Sequence, residues 1–252
     1  MNRCDSGTDS IVWMREDHVP GIFLWPGDIF LFSGQKGEST MTQRRNSVKT
    51  VAFVGVLGAL SCVLMLLRFP VPLVPSFYEF DIAELPALFA GFFLGPVAGC
   101  AVVFVKIVLK LIFQGSATFG IGDLSNLIGS MVFILTASLI YRRMHTKKGA
   151  LIALSVSTLV VSIVYVFLNA YIMLPMYASV YGLPIDTIVD MGHAVNPWVT
   201  DTLTLMIFAV FPFNLLKHGV TALLTYLLYK RAGNALRNMM GLAPDRTVRK
   251  TA

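Results

Sequence analysis

Pro212-Phe-Asn-Leu-Leu-Lys-His-Gly219 opens the last long apolar run of a 252-residue chain. It sets Asn214 and Lys217 three residues apart, and residues at i and i+3 share one face of a helix. An amide and an ammonium therefore point the same way, just inside an apolar span. A lysine at the centre of a membrane helix costs roughly 2.5–3.5 kcal/mol on insertion scales, and polar groups at that depth usually mark a pathway or a site. The bland alternative is a lysine that snorkels to the interface and an asparagine that joins two helices.

Working outward, 56% of the residues are hydrophobic and only 13% charged, against about 25% charged in a soluble domain. Several apolar runs approach the roughly 20 residues that span a bilayer. The fold class is an all-α membrane protein. The net charge of +6 does not point to nucleic acid, because the basic residues cluster beside apolar runs, as in loops that hold helix ends in the cytoplasm. Cys4, Cys62 and Cys100 have no metal-ligand spacing, and two of them lie inside apolar runs as small packing residues.

Met1–Thr40 differs in character from the rest of the chain. It holds six acids and three bases, and its apolar patch Ile22–Phe32 is broken by Pro26, Gly27 and Asp28. It is too short and interrupted to span, and it lacks a signal-peptide layout. Met41-Thr-Gln-Arg-Arg-Asn-Ser then starts an ordinary basic lead-in. The expectation is a disordered or over-called extension over 1–40, a six-helix membrane domain over 41–235, and a basic cytoplasmic tail over 236–252.

Helix 1 is expected over about Ser47–Leu67. Ala52, Gly55, Ala59 and Cys62 form a small-residue stripe on it, which serves either packing within the chain or docking of a partner helix. A segment with Pro70, Pro72 and Pro75 ends it. Helix 2 (about Ile82–Leu94) and helix 3 (about Pro96–Phe113) come next, with Gly91, Gly95 and Gly99 four apart across a tight turn. Helix 3 carries Lys106 and Lys110 on one face. Helix 4 spans about Asp123–Tyr141 and helix 5 about Gly149–Leu174. After a loop of about 35 residues, whose apolar end Leu203–Phe211 suits a re-entrant or surface helix, helix 6 runs about Pro212–Arg231. Its length is about 30 Å at 1.5 Å per residue.

With six transmembrane helices, both termini share a side. That side holds thirteen bases, at Arg44, Arg45, Lys49, Arg142, Arg143, Lys147, Lys148, Lys230, Arg231, Arg237, Arg246, Arg249 and Lys250, while the opposite loops hold only Arg68. The positive-inside rule makes both termini cytoplasmic. Glu79, Asp81 and Glu84, then Asp123 and Asn126, then Asn169, then Asn214 and Lys217 thereby fall at one level near the outer face. Their convergence reads as a pocket open to the outside, capped by the 68–80 and 175–211 loops. Phe77, Tyr78, Phe119, Tyr171, Tyr177 and Trp198 are candidates for its flat walls.

There is no H-E-x-x-H, no G-x-S-x-G and no G-x-x-x-x-G-K-[ST] in the chain. His18, His145, His193 and His218 are too dispersed for an obvious metal site. No internal repeat is apparent, which counts against a secondary transporter. A small protein with a pocket and no engine reads as a non-enzymatic subunit driven by a partner.

Phe69-Pro-Val-Pro, Asp81-Ile-Ala-Glu-Leu-Pro-Ala-Leu88, Phe93-Leu-Gly-Pro-Val-Ala-Gly99, Gln114-Gly-Ser116, Asn126, Leu168-Asn-Ala-Tyr171, Leu174-Pro-Met-Tyr177 and Pro212-Phe-Asn-Leu-Leu-Lys217 together resemble the riboflavin-specific S component of energy-coupling factor (ECF) vitamin transporters. The resemblance covers about 42–235 in order, and P-F-N-x-x-K is its most specific part. It implies six helices in a bacterial plasma membrane, riboflavin as transported ligand with no cofactor, and partnership with a transmembrane coupling subunit and two ATPase subunits. It assigns flavin-ring contacts to Asn169, Asn214 and Lys217, with Glu79 and Asp81 matched only through their neighbours in the loop. The chemistry of the residues adds that the ribityl hydroxyls need small polar partners, a role open to the outer acids and Asn126. The coupling subunit's docking surface falls to the helix 1 stripe, Ala52, Gly55 and Ala59. The chain departs from the pattern at Val103 and Ile107, where a Glu and an Asn often stand, in its extra Lys110, and in a longer segment between Tyr181 and Asp201. The residues alone leave open another flat vitamin such as thiamine or a folate, an intramembrane enzyme using Asp123 or Lys106 and Lys110 on a lipid, and a purely structural subunit.

Overall fold

The computed structural model describes residues 40–71, 78–116, 118–182 and 184–240. The expectations for the first 39 residues and for the tail beyond Met240 lie outside these residues. The chain forms α1 (Thr40–Leu66), β1 (Phe69–Pro70), β2 (Glu79–Phe80), α2 (Glu84–Phe93), α3 (Pro96–Gln114), α4 (Ile121–Met144), α5 (Lys147–Leu168), α6 (Leu174–Tyr181), α7 (Ile185–His193), α8 (Thr202–Leu205) and α9 (Phe211–Met240).

Five segments are long and apolar enough to cross a membrane: Val48–Leu66, Pro96–Gln114, Ile121–Met144, Lys147–Tyr181 and Thr202–Tyr229. The sixth expected crossing, α2, has 10 residues, about 15 Å of helix. It is enclosed by protein, with side chains from Glu84 to Phe92 buried almost without a break. The main packing partners are α4 with α5, α1 with α3, α5 with α9, and α2 with both α3 and α4.

Small residues set these distances, as expected where lipid is as apolar as the helix faces. The turn between α2 and α3 needs Gly95, whose φ is +103°, and Pro96 stands next at the first helical position. A Cβ on Gly99 would sit 2.9 Å from the Cα of Gly91, so α2 and α3 meet backbone to backbone. On α4, a Cβ on Gly129 would run into the ring of Tyr165 on α5. Cys62 is buried and Cys100 half-buried, both as free thiols.

The described residues are mostly helical, as expected, with one short antiparallel ladder of Phe69–Pro70 against Glu79–Phe80. Three expectations are corrected. The expected loop over 175–211 is largely helical. Leu203–Phe211 is neither re-entrant nor surface-lying: α8, a π-helical segment Met206–Val210 and α9 run on as one rod. Likewise α5 continues through a π-helical segment, Asn169–Met173, into α6 and ends at Tyr181, beyond the expected Leu174.

Proline explains both widened segments. Pro175 and Pro212 each lie two residues past the end of one. Proline has no N–H to return to the carbonyl four residues back, and its ring clashes with that carbonyl. A local i→i+5 turn relieves the clash while the helix continues. Phe208, the carbonyl left without its helical donor by Pro212, accepts from Asn196 Nδ2 at 3.3 Å.

Candidate functional site

The C-terminal ends of α1, α3 and α5 and the start of α4 gather at one end of the bundle. The basic residues Arg142, Arg143, Lys147 and Lys148 lie at the other ends of α4 and α5. At the first end is a cavity of about 280 Å³, close to the roughly 300 Å³ at which small-ligand pockets begin. Glu79, Asp81, Asn126, Asn169, Asn214 and Lys217 all lie on its wall. Six residues from four separate stretches of the sequence are thus brought together. Glu84, expected beside them, does not line the cavity.

Asp81 joins two of these elements. Its Oδ1 accepts from the Ala83 N–H at 2.9 Å, an Asx turn that leads into α2. Its Oδ2 accepts from Lys217 Nζ at 2.8 Å. Both oxygens are used, and both partners are buried. Lys217 has three N–H donors, so this bond leaves two for other groups. Arg68 and Glu79 pair at 2.6 Å beside the β1–β2 ladder.

The two asparagines are alike in detail. Asn169 Nδ2 donates to the Tyr165 carbonyl at 2.8 Å, and Asn214 Nδ2 donates to the Val210 carbonyl at 2.8 Å. Each side chain bonds back one turn at the edge of a π-helical segment. That bond orients the amide and spends only one of its N–H groups. Asn169 Oδ1 accepts from the Tyr78 hydroxyl at 2.9 Å. Burial, with Tyr177 nearby, raises the pKa of the Tyr78 hydroxyl, which keeps it a donor.

The lysines of α3 take different roles. Lys106 is 0% exposed and lies off the cavity, donating to Glu84 Oε1 and to Ser130 Oγ at 3.0 Å each. The Ser130 hydroxyl lies 2.8 Å from the same Glu84 oxygen. This pair joins α2, α3 and α4 inside the bundle. Lys110, one turn on, is on the cavity wall. It donates to Asp123 Oδ1 at 2.7 Å and to the Gly115 carbonyl at 2.8 Å.

Of the expected aromatic walls, Tyr78 and Tyr177 line the cavity. Phe119, Tyr171 and Trp198 are exposed and do not; Phe77 lies outside the described residues. Tyr165, Phe213, Met65 and Met173 line it without having been singled out. Helical spacing carries the signal for two of them, since Tyr165 and Met173 stand one turn either side of Asn169. On helix 1, Ala52, Gly55 and Ala59 are exposed, and a Cβ on Gly55 would meet nothing within 4 Å. Cys62, the fourth member of that stripe, turns inward and is buried.

The family model of the ECF transporter substrate-specific component matches residues 49–229. The chain is 29% identical over 203 residues to the riboflavin transporter RibU of Staphylococcus aureus (strain TCH60), across 81% of this chain and 99% of the relative. It is 30% identical over 185 residues to the riboflavin transporter FmnP of Bacillus subtilis (strain 168), across 72% of this chain and 90% of the relative. A solved structure of the S component of a bacterial ECF transporter superposes with a TM-score of 0.60 at 30% identity, covering 76% of this chain and 99% of that one.

Proposed function

This chain belongs to the family of ECF transporter substrate-specific components, and on that premise we propose that it is the riboflavin-binding membrane subunit of a vitamin uptake transporter. Two relatives that match most of the chain are riboflavin transporters. The observation that carries the reading is the convergence of Asn169, Asn214 and Lys217 with Tyr165, Tyr177 and Phe213 on one cavity. Riboflavin is flat and apolar on its faces, with an imide edge of alternating C=O and N–H. Asn214 offers its Oδ1 and second amide N–H to that edge, and Lys217 its remaining donors. The aromatic side chains suit the faces.

The same reading places six crossings with both termini in the cytoplasm of a bacterial cell. It counts the 10-residue α2, enclosed by protein, as a short crossing. Irregular backbone at membrane depth is tolerated where protein or a cavity surrounds it. Uptake energy comes from separate ATPase subunits through a transmembrane coupling subunit, for which the exposed face of Ala52, Gly55 and Ala59 is the docking surface. The subunit binds its ligand and returns it chemically unchanged.

The test is titration of riboflavin fluorescence with the purified, monodisperse chain. Saturable quenching, with recovery of intact riboflavin on denaturation, is expected. Unchanged fluorescence at micromolar protein refutes the assignment, and a modified flavin refutes the non-enzymatic role.

A further inference from the structure

The segment from Pro184 to Leu203 takes no part in the cavity, although the sequence suggests a cap there. Between Tyr177 and Phe213 no described residue lines it. The segment instead builds a braced apolar shelf at the bundle end opposite Arg142, Arg143, Lys147 and Lys148. α7 turns Ile188, Val189 and Gly192 inward. A Cβ on Gly192 would sit 2.8 Å from Leu205 Cδ1 and 3.1 Å from Val199 Cγ1, so α7 lies hard against the start of the α8–α9 rod. His193 Nδ1 donates to the Val199 carbonyl at 2.7 Å and ties the end of α7 to the chain beyond it. Asn196 then braces Trp198. Its Oδ1 accepts from the Trp198 backbone N–H at 3.1 Å, and its Nδ2 donates to the Phe208 carbonyl. The indole packs edge-on against Phe208, with ring centroids 5.7 Å apart. Despite this support, Trp198 is 70% exposed.

We propose that this segment is an anchor in the bilayer interface, with Trp198 at the headgroup level and Met191, Val195 and Leu203 against the acyl boundary. The occupant follows from continuity with the lipid-facing surface. The span Thr202–Tyr229 carries exposed Leu203, Ile207, Leu216, Leu223 and Leu227 along its length. Met191, Val195 and Trp198, all exposed, carry that apolar surface past the first residue of the span. By helical spacing Asp186, Asp190 and His193 fall on one flank of α7 and Met191 on the other, so one flank faces water and the other lipid. An indole has an apolar body and one polar N–H, which suits the boundary between the two. Phe119 and Tyr181, exposed and edge to face at 5.8 Å, add a second aromatic pair at this end. Asn214 and Lys217 follow on the same rod as Leu203, so the anchor sets their depth in the membrane.

Trp198 is one of three tryptophans, and Trp13→Phe with Trp25→Phe leaves it as the single indole of the full chain. This variant is reconstituted into phosphatidylcholine vesicles whose acyl chains carry bromine, a contact quencher, either near the headgroup or near the bilayer centre. Trp198 should lose most of its emission to the shallow bromines, less to the deep ones, and little to aqueous acrylamide. Emission unchanged by both brominated lipids overturns the anchor, as does stronger quenching by the deep bromines, which would put the ring inside the acyl core. If the double variant does not fold, the difference between the parent and Trp198→Phe reads the same ordering. A second measurement tests the segment as a lid. Trp198→Ala should titrate riboflavin as the parent does, and a loss of about tenfold or more would make the segment part of the ligand's enclosure and overturn the anchor. Quenching in vesicles needs no ligand, so its outcome is separate from that of the flavin reading.

Discussion

Lys217 Nζ and Asp81 Oδ2 lie 2.8 Å apart although 136 residues separate them in the chain. Their bond ties α9 to the entry of α2 on the cavity wall, so removing the lysine has two effects. It takes donors from the ligand site, and it strands a buried carboxylate. Breaking a buried pair by removing one partner costs about 3–5 kcal/mol. Lys217→Met should therefore lower both the thermal midpoint and riboflavin affinity. Adding Asp81→Asn, which keeps an acceptor for the Ala83 N–H, should restore most of the midpoint but not the affinity. Thermal unfolding and flavin titration of the two variants measure this; recovery of both properties together would show that Lys217 is structural.

Asn214→Ala and Asn169→Ala should each weaken riboflavin binding roughly ten- to a hundredfold, from about 1–3 kcal/mol per lost partner. Asn169→Ala also takes the acceptor from the Tyr78 hydroxyl, so its effect should be at least as large. Fluorescence titration of folded variants reads the ordering. If both bind as the parent does, the amides serve only to brace the π-helical segments.

Much of the site was legible in the sequence because depth is legible. An apolar run fixes where its polar residues sit along the membrane normal, which brought Asn169, Asn214, Lys217, Asp81 and Asn126 to one level. Pairing across the bundle was not legible. Lys106 and Lys110 share a face of α3 and read alike, yet one meets Glu84 and the other Asp123. Neither choice follows from spacing within a helix. The widened helices left a trace in Pro175 and Pro212, but proline marks an ending as readily as a bulge. The expected loop before Pro212 was that ambiguity resolved the wrong way.

Lys106→Ala should separate stability from binding. Its ammonium holds Glu84 and Ser130 off the cavity, so its loss leaves the Glu84 carboxylate inside the bundle without its ion-pair partner, with only the Ser130 hydroxyl beside it. A fall in stability of about 3–5 kcal/mol is expected, with a smaller effect on riboflavin affinity than Lys217→Met in whatever fraction stays folded. A larger affinity loss than that of Lys217→Met, at equal folded fraction, would place Lys106 in the ligand site.

Topology is checked by reporter fusions. Fusions at Lys148 and after Met240 should report the cytoplasm, and one near Asp190 on α7 the exterior. A reporter at Lys148 that reads external would invert the cavity and give it to the cytoplasmic face.

Gly55 and Gly58 stand three residues apart on α1 but face different surroundings. A Cβ at Gly58 would come 2.5 Å from Val105 Cγ1 on α3, whereas one at Gly55 meets nothing. Gly58→Leu should therefore push α1 from α3 and reduce the yield of folded, monodisperse protein. Gly55→Leu adds bulk only to the outer face shared with Ala52 and Ala59, so folding and riboflavin affinity should stay at parent levels. If that face receives the coupling subunit, the added bulk blocks close helix approach, and riboflavin uptake by cells carrying the whole transporter should fall sharply. Uptake and purified-protein binding measured on the same variant distinguish the cases. Full uptake with Gly55→Leu would remove this face from the interface, and lost binding would mean that it packs within the chain after all.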